Sequence, residues 1–153
     1  HCLGGQLMAR ALGGSVHRAP RPEIGWHAVR WHAGAQEWFG AVAAQALVFQ
    51  WHFDAFVPPP GAQCLAWSAH CAHQAFALGP HLAMQFHIEL DAAKLTTWTA
   101  NADAEYDNAC EAWPAQVQSR SEMLEGAATH LREQQQMASK VYTRWAAAAG
   151  FLV

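Results

Sequence analysis

Charged side chains are scarce in this sequence of 153 residues: Asp, Glu, Lys and Arg make up 14% of it, and the formal net charge is -3. No run is rich in lysine or arginine, so the sequence lacks the basic surface that binds nucleic acid. No apolar run approaches the ~18 residues that cross a bilayer. We therefore expect a protein that binds neither nucleic acid nor membrane.

Cysteine is also scarce, and its spacing is irregular: the four residues are Cys2, Cys64, Cys71 and Cys110. Such spacing does not resemble the framework of a disulfide-rich secreted domain. The first residues contain neither a charged segment nor an apolar core of the kind that begins a signal peptide. We expect free thiols and a cytoplasmic protein.

Apolar residues are plentiful, at 52% of the chain, and eight of them are tryptophans. A chain of this length and composition can bury a core of its own, unlike a disordered segment or a solvated coiled coil. The sequence therefore predicts one folded domain or most of one.

Three stretches of different character predict the order of elements. Residues 2–13 carry apolar side chains at helical spacing before two glycines, which favours a short helix. Residues 23–90 alternate aromatic and β-branched segments with Pro and Gly breakers, which indicates a strand-rich centre. Residues 91–150 are helical in pattern. The class is α/β, and the predicted strands are Trp26–Trp31, Leu47–Trp51, Cys64–Trp67 and Leu82–Phe86.

A long amphipathic helix is predicted near the end of the chain. Ser119 and Glu122 form a capping-box pattern, in which each side chain can bind a backbone N–H left free at a helix start. The side-chain stripe predicted for this helix contains two alanines and a glutamine and would be a weak seam for a coiled coil, so we expect it to pack on its own domain. The predicted stripe is Leu124, Ala128, Leu131, Gln135, Ala138, Tyr142 and Trp145.

Cys2 is a candidate nucleophile because it stands before a glycine-containing turn that begins the first predicted helix. The unpaired N–H groups and positive dipole end of a helix favour a thiolate and can hold a developing oxyanion. A tight turn also exposes the sulfur, as in a nucleophile elbow. Taken alone, such a cysteine is more often a small buried hydrophobic residue.

His87 and Glu89 are candidates for a base and its orienting carboxylate. They stand two residues apart at the end of a predicted strand, so both side chains project to the same side. Glu89 can accept one imidazole N–H and leave the other ring nitrogen for a thiol. Taken alone, such a pair is more often a surface His–Glu contact at a strand end than a base with its orienting carboxylate.

Together the two stretches resemble the glutamine-hydrolysing domain of the class I glutamine amidotransferases. That family has a Gly-x-Cys-Leu-Gly-x-Gln elbow and, farther along, a Gln-Phe-His-Pro-Glu segment. Residues 2–6 match from the cysteine onward, and residues 85–89 match except that Ile88 replaces the proline. Residues 18–26, 50–54 and 74–76 and the long final helix are similar to stand-alone relatives of the amidotransferase domain of GMP synthase.

The resemblance implies a flavodoxin-like three-layer α/β domain with a long C-terminal helix. In the family, several strands and helices precede the elbow, and a glycine-rich loop among them supplies a second oxyanion N–H. Cys2 stands almost at the first residue. We therefore expect residues 1–153 to form a partial glutamine amidotransferase domain, incomplete at its N-terminus and nearly inactive alone.

The resemblance also implies glutamine hydrolysis by a triad of Cys2, His87 and Glu89. The Cys2 thiolate would attack the side-chain amide, His87 would give a proton to the leaving ammonia, and water would cleave the γ-glutamyl thioester. No cofactor is implied. The expected partner is a synthetase that accepts the ammonia. Two other functions stay open: hydrolysis of a γ-glutamyl conjugate by the same triad, and a non-catalytic scaffold.

Four further residues match family positions that contact the substrate. The Leu3 N–H would be one oxyanion donor, and Gln6 would contact the substrate glutamine. His52 and Phe53 would face its amino-acid end. Residues 51–54 depart from the commoner Ser-His-Gly-Asp form, so a loop histidine without catalytic duty is an equal interpretation of His52.

We predict that the cluster Cys64, His70, Cys71 and His73 holds no metal. Its Cys-x6-Cys spacing fits no familiar zinc knuckle, and structural zinc sites usually bring their ligands in short paired turns. Elemental analysis of the purified protein should find no stoichiometric zinc. One zinc per chain that is lost on Cys64→Ser would contradict this prediction.

Overall fold

The computed structural model describes residues 1–41 and 43–151. Val42, within the predicted strand-rich centre, and residues 152–153 of the predicted domain lie outside the described residues. The α/β class and the long final helix are confirmed. In chain order the elements are α1 (Leu3–Ala11), β1 (Ser15–Trp31), α2 (Ala35–Phe39), β2 (Gln45–Val57), β3 (Gln63–Trp67), β4 (Ala75–Leu78), β5 (His81–Met84), α3 (Ala92–Ala100), α4 (Ala104–Ala112) and α5 (Arg120–Ala148).

The strands of the described ranges form an antiparallel sheet in the order β2-β1-β3-β4-β5. Its largest part is the hairpin of β1 and β2, paired from Ser15 opposite Val57 to Arg30 opposite Gln45. The register shifts between Arg18 and Glu23. This stretch contains two prolines, which lack the N–H that a continuous ladder needs.

Several elements differ from the sequence prediction. Strand β2 runs over Gln45–Val57, well beyond the predicted Leu47–Trp51, and β5 runs over His81–Met84, two residues short of the predicted end at Phe86. Strand β1 begins at Ser15, ahead of the predicted strand-rich centre, because the pairing continues on both sides of the proline stretch. Strand β4 and helix α2 were not predicted. Helix α2 has five residues between Gly34 and Gly40, whose φ values are 90° and 79°, so it is too short to show a helical period.

The helices cover the sheet through three apolar clusters. Helix α5 packs over β1 and β2, whereas α3 and α4 close a second cluster around Trp26 and Phe49. Helix α1 packs through Ala9 on Phe56 and Phe76. Within the described part of the chain, none of these helices has both the length and the apolarity to cross a membrane.

Helix α5 begins as predicted but buries a different stripe. The capping box is confirmed, since the Ser119 side chain accepts from the Glu122 N–H and the Glu122 side chain accepts from the Ser119 N–H. Of the predicted stripe, Leu124, Tyr142 and Trp145 are 43%, 37% and 39% exposed. The buried residues of the helix are Met123, Gln134, Ala138 and Val141.

The buried stripe lies mostly one position before the predicted one, since Met123, Gln134 and Val141 are buried in place of Leu124, Gln135 and Tyr142, while Ala138 belongs to both. Gln134 is buried, and its Oε1 accepts a hydrogen bond of 2.7 Å from the Phe49 N–H. A buried backbone N–H needs such a partner. The spacing along the helix does not show which of two adjacent glutamines meets that N–H.

We predict that Gly126→Ala in α5 lowers the free energy of unfolding by about 1–3 kcal/mol through overpacking. A Cβ at Gly126 would stand 2.4 Å from Trp26 Cδ1. Trp26 cannot easily move, since its Nε1 donates to the Met123 carbonyl at 2.9 Å. Urea unfolding followed by tryptophan fluorescence measures the change.

Gly4→Ala is the matched control, because Gly4 lies in α1 and its added Cβ would have nothing within 4 Å. Alanine is the better helix former by up to ~1 kcal/mol, so this variant should be as stable as the parent or more stable. Equal stability of the two variants would show that the Trp26 contact does not constrain Gly126.

Candidate active site

Cys2 occupies a strained turn immediately before helix α1. Its φ is 40°, and it is the one non-glycine residue of the described ranges with a positive φ. Its N–H donates to the Met84 carbonyl at the end of β5, at 2.8 Å. Gly5 lies so close to the same strand that a Cβ there would approach the Met84 oxygen to 3.0 Å. Such strain persists where surrounding structure fixes it, and it clusters at functional sites.

The Cys2 thiol is partly buried between β2 and the segment after β5. Its Sγ lies 3.7 Å from the Trp51 carbonyl and 3.5 Å from Gln85 Nε2. Burial raises the pKa of Cys2 above its ordinary value, and this effect outweighs the hydrogen bond from the Leu3 N–H, which favours the thiolate. The thiol therefore needs a base if it is to react at neutral pH.

His87 and Glu89 form a hydrogen-bonded pair that lines the same cavity as Cys2. His87 Nδ1 lies 2.7 Å from Glu89 Oε1, and the His87 backbone N–H donates to the Phe49 carbonyl of β2 at 2.9 Å. With Nδ1 engaged, Nε2 is the nitrogen left for a neighbouring thiol. Burial opposes ionisation of Glu89, but the hydrogen bond and charge of His87 outweigh it and hold the pKa below its ordinary value.

Ile88, which stands where the family has proline, is buried together with Phe86 in the core beneath α5. Strand β5 ends at Met84, and the residues that follow it form bends and a turn, so the predicted position of His87 and Glu89 at the end of an extended strand was wrong. Apolar packing therefore anchors the segment at the position where a proline ring would restrict its backbone. His87 and Glu89 are hydrogen-bonded to each other with Ile88 between them.

Cys2, His87 and Glu89 line one cavity of about 560 Å³. Its walls include three aromatic side chains, and the predicted residues Leu3 and Phe53 also line it. A cavity of this size and partly apolar character is typical of small-molecule sites. The aromatic walls are Trp51, Phe53 and Trp98.

The two other predicted substrate residues lie behind the wall of this cavity. Gln6 is buried, and its Nε2 donates to the Asp54 carbonyl at 3.0 Å. His52 is 2% exposed, and its Nδ1 lies 3.1 Å from the same carbonyl. Their side chains therefore contact the backbone that forms the wall.

The structure separates the four candidate metal ligands of the sequence. Cys64 Sγ lies 3.7 Å from His73 Nδ1, whereas Cys71 Sγ faces the His73 carbonyl and His70 Nε2 lies 3.3 Å from Gln116 Nε2. In the described ranges, the residues with converging ligand atoms are Glu23, His52 and Cys71, all within 4.8 Å of one another.

Sequence reasoning missed two residues near the site. Glu23 is a buried carboxylate in β1, and its one sequence signal was its place within residues 18–26, which are similar to stand-alone relatives of the amidotransferase domain of GMP synthase. His1 contributes a ring whose Nδ1 lies 3.3 Å from Glu89 Oε2 and whose Nε2 lies 2.8 Å from the Tyr142 hydroxyl. No local pattern pairs residue 1 with residue 142.

The family model described as "Glutamine amidotransferase class-I" matches residues 2–101. That range contains the elbow, the aromatic wall and the His87–Glu89 pair. The chain belongs to the class I glutamine amidotransferase family. A comparison with curated proteins gave no match.

Solved structures of glutamine amidotransferases are similar to this member of the family. One from Methylobacillus flagellatus has 38% identity and a TM-score of 0.88, over 97% of this chain and 61% of its own. One from Thermotoga maritima has 29% identity and a TM-score of 0.80, and the match covers 94% of this chain and 60% of that one. A putative GMP synthase subunit from Thermoplasma acidophilum has 32% identity and a TM-score of 0.55, and the match covers 59% of this chain and 46% of that one. This chain thus spans about three fifths of the first two.

We predict that the alkylation rate of Cys2 by iodoacetamide keeps rising above pH 9. Only the thiolate reacts, and burial keeps the thiol pKa above its ordinary value of 9.0, so the thiolate fraction is low at neutral pH. Peptide mapping by mass spectrometry follows Cys2 separately from the other thiols. A rate that is already constant below about pH 8 would contradict the prediction, because the thiol pKa would then lie below its ordinary value.

Proposed function

We propose that this cavity is a glutaminase centre, with Cys2 as nucleophile, His87 as general base and acid, and Glu89 as the group that orients the imidazole. The observation that carries the proposal is the shared cavity of a strained cysteine at a helix start and a hydrogen-bonded His–Glu pair. Family membership supports it.

The proposed reaction has two halves. His87 Nε2 takes the thiol proton while Cys2 Sγ bonds to the side-chain carbonyl carbon of glutamine, and the C–N bond then breaks as His87 returns the proton to the leaving ammonia. Water next attacks the γ-glutamyl thioester as His87 takes its proton, and the C–S bond then breaks as His87 returns that proton to the sulfur, which gives glutamate and the free thiol. The raised thiol pKa makes this proton transfer necessary.

Three local features support these steps. The Leu3 N–H and the start of α1 face the sulfur, so they can hold the oxyanion of each tetrahedral intermediate. The ionised Glu89 accepts from His87 Nδ1 and stabilises the imidazolium that forms in each half-reaction. Phe53 lines the cavity and would contact the amino-acid end of the substrate.

We further propose that the ammonia goes to a synthetase partner and that residues 1–153 form part of one amidotransferase domain. One similar structure is a putative GMP synthase subunit, which supports an acceptor of this kind. A cytoplasmic location fits the four free cysteines.

A second candidate function is hydrolysis of a γ-glutamyl conjugate by the same triad. The aromatic walls formed by Trp51, Phe53 and Trp98 favour it, because they offer an apolar surface to an amine larger than ammonia. Comparing glutamate release from glutamine and from γ-glutamyl-p-nitroanilide distinguishes the two. A clear preference for the anilide would favour the second function.

The test of the proposed centre is covalent labelling by 6-diazo-5-oxo-L-norleucine, a glutamine analogue with an electrophilic carbon. We expect one adduct, on Cys2, whose formation is slowed by free glutamine. His87→Ala should slow labelling by about 10²-fold or more, because proton transfer to the base is lost. Intact-mass spectrometry and peptide mapping measure both results.

Cys110→Ala is the matched control, since Cys110 is a half-buried free cysteine outside the cavity. It should be labelled like the parent, whereas Cys2→Ala should take no adduct and release no ammonia from glutamine. Labelling that survives Cys2→Ala would overturn the assignment of the nucleophile. A parent protein that takes no adduct would favour a non-catalytic scaffold.

A further inference from the structure

A buried amide lies behind the Cys2 sulfur and takes no part in the steps above. Gln85 Nε2 donates to Cys2 Sγ at 3.5 Å. Cys2 lines the cavity, whereas Gln85 is fully buried and does not line it. The amide therefore meets the sulfur from the protein core, while a substrate would meet it from the cavity.

Two backbone hydrogen bonds fix this amide relative to the sulfur. The Gln85 N–H donates to the carbonyl of Gln74, the residue before β4, at 2.8 Å. The residue before Gln85 is Met84, whose carbonyl accepts from the Cys2 N–H. The contact between Nε2 and Sγ is therefore supported by the backbone on both sides.

The orientation of the Gln85 amide leaves one of its atoms unpaired. Oε1 is buried, and among the described residues no group donates a hydrogen bond to it. Buried polar atoms rarely lack a partner, and those that do need an explanation. The reversed orientation would turn this oxygen toward the sulfur, where it would repel a thiolate. The amide thus directs its N–H at the sulfur and leaves its own oxygen unsatisfied.

The Cys2 sulfur has both acceptors and donors around it. The Trp51 carbonyl, 3.7 Å away, can accept the thiol proton but would oppose a negative sulfur. The hydrogen bonds from the Leu3 N–H and from Gln85 each lower the pKa of Cys2 against the larger effect of burial. Leu3 belongs to α1 itself, so Gln85 is the donor that comes from a distant part of the sequence.

Charged groups near the sulfur also affect its ionisation. Glu89 raises the pKa of Cys2, and the amino group of residue 1 lowers it. The remaining titratable groups of the cavity are His1, His87, Asp103 and Glu105. Replacing Gln85 by another uncharged side chain leaves all of these groups in the chain, so a change in the ionisation of Cys2 would report the loss of the amide.

We propose that Gln85 is a further catalytic residue, whose amide N–H holds the Cys2 sulfur toward the cavity and stabilises the thiolate from the core side. In the proposed reaction the sulfur carries negative charge twice, when His87 takes the thiol proton and when the C–S bond of the thioester breaks. This kinetic consequence rests on the proposed glutaminase function. The effect of Gln85 on the ionisation of Cys2 is independent of that function.

The first test is the pH dependence of Cys2 alkylation by iodoacetamide, followed by peptide mapping. Gln85→Met keeps the unbranched shape of the side chain and removes the N–H. At pH 8 we expect alkylation to be about threefold slower or more, because the thiolate fraction falls. The difference from the parent should narrow as the pH rises, since the variant changes the ionisation of the sulfur and not access to it. Identical pH profiles would overturn the proposal.

The second test is the stability of the same variant. An apolar side chain of similar shape can replace a polar one at little cost when an unpaired atom is removed with it. We therefore expect Gln85→Met to unfold in urea at a midpoint no lower than that of the parent. A lower midpoint together with the parent pH profile would make Gln85 a structural residue and overturn the proposal.

Gln134→Met is the matched control, because Gln134 is also a buried glutamine and its Oε1 accepts from the Phe49 N–H. Loss of that acceptor should lower the urea midpoint, and the pH profile of Cys2 should stay that of the parent. If both variants shift the profile equally, a general loosening of the core explains the shift, and the proposal is overturned.

The third test separates chemistry from binding with 6-diazo-5-oxo-L-norleucine. Gln85→Met should lower the maximal labelling rate about threefold or more and keep the half-saturating concentration within about twofold, because the amide contacts the sulfur and not the cavity. A raised half-saturating concentration with the parent maximal rate would overturn the proposal.

These outcomes separate the inference from the function. If the parent takes no adduct, the proposed function fails, while the iodoacetamide profiles still decide whether Gln85 stabilises the thiolate. If the parent is labelled and the profiles of parent and Gln85→Met coincide, the function stands and the role of Gln85 is overturned. Where Gln85→Met does not fold, Gln85→Leu provides the same comparison.

Discussion

The hydrogen bond from the Cys2 N–H to the Met84 carbonyl is the contact on which the site depends. It joins the start of α1 to the end of β5, and it holds Cys2 at a φ that side chains rarely adopt. The strand ends there, and the next residues carry Gln85 and His87 to the sulfur side of the cavity. This one backbone hydrogen bond therefore fixes the position of the Cys2 sulfur relative to the segment that carries His87, and the sheet beneath holds both rigidly.

The features that could be predicted from the sequence are those coded within a few residues. The glycine-containing turn after Cys2 specifies a helix start, and the pairing of His87 with Glu89 joins residues only two apart, although it forms in a turn and not on an extended strand. The capping box of Ser119 and Glu122 is equally local. Two such stretches in the right order also identify the family, because the family motifs are themselves local. These predictions needed no knowledge of what the rest of the chain contacts.

The features that could not be predicted depend on partners distant in sequence. Gln134 is a core residue only because the Phe49 N–H faces it, and Glu23 is tolerated in a strand only because Ser68 and Gln74 meet it there. Likewise, His52 matches a substrate position of the family, yet its ring nitrogens face Glu23 and a backbone carbonyl. Tertiary contacts determine whether such residues are buried and which groups they bind, and residue type alone does not.

The contact of His1 with Tyr142 joins residues 141 positions apart and ends one residue from Cys2. Because the other His1 nitrogen lies against Glu89, the docking of α5 influences the surroundings of the Glu89 carboxylate. Local unfolding of the last turns of α5 would release His1 from Tyr142 and so change one of the two neighbours of Glu89, with residues 85–89 unchanged. In this molecule the surroundings of the Glu89 carboxylate thus depend on the last turns of α5.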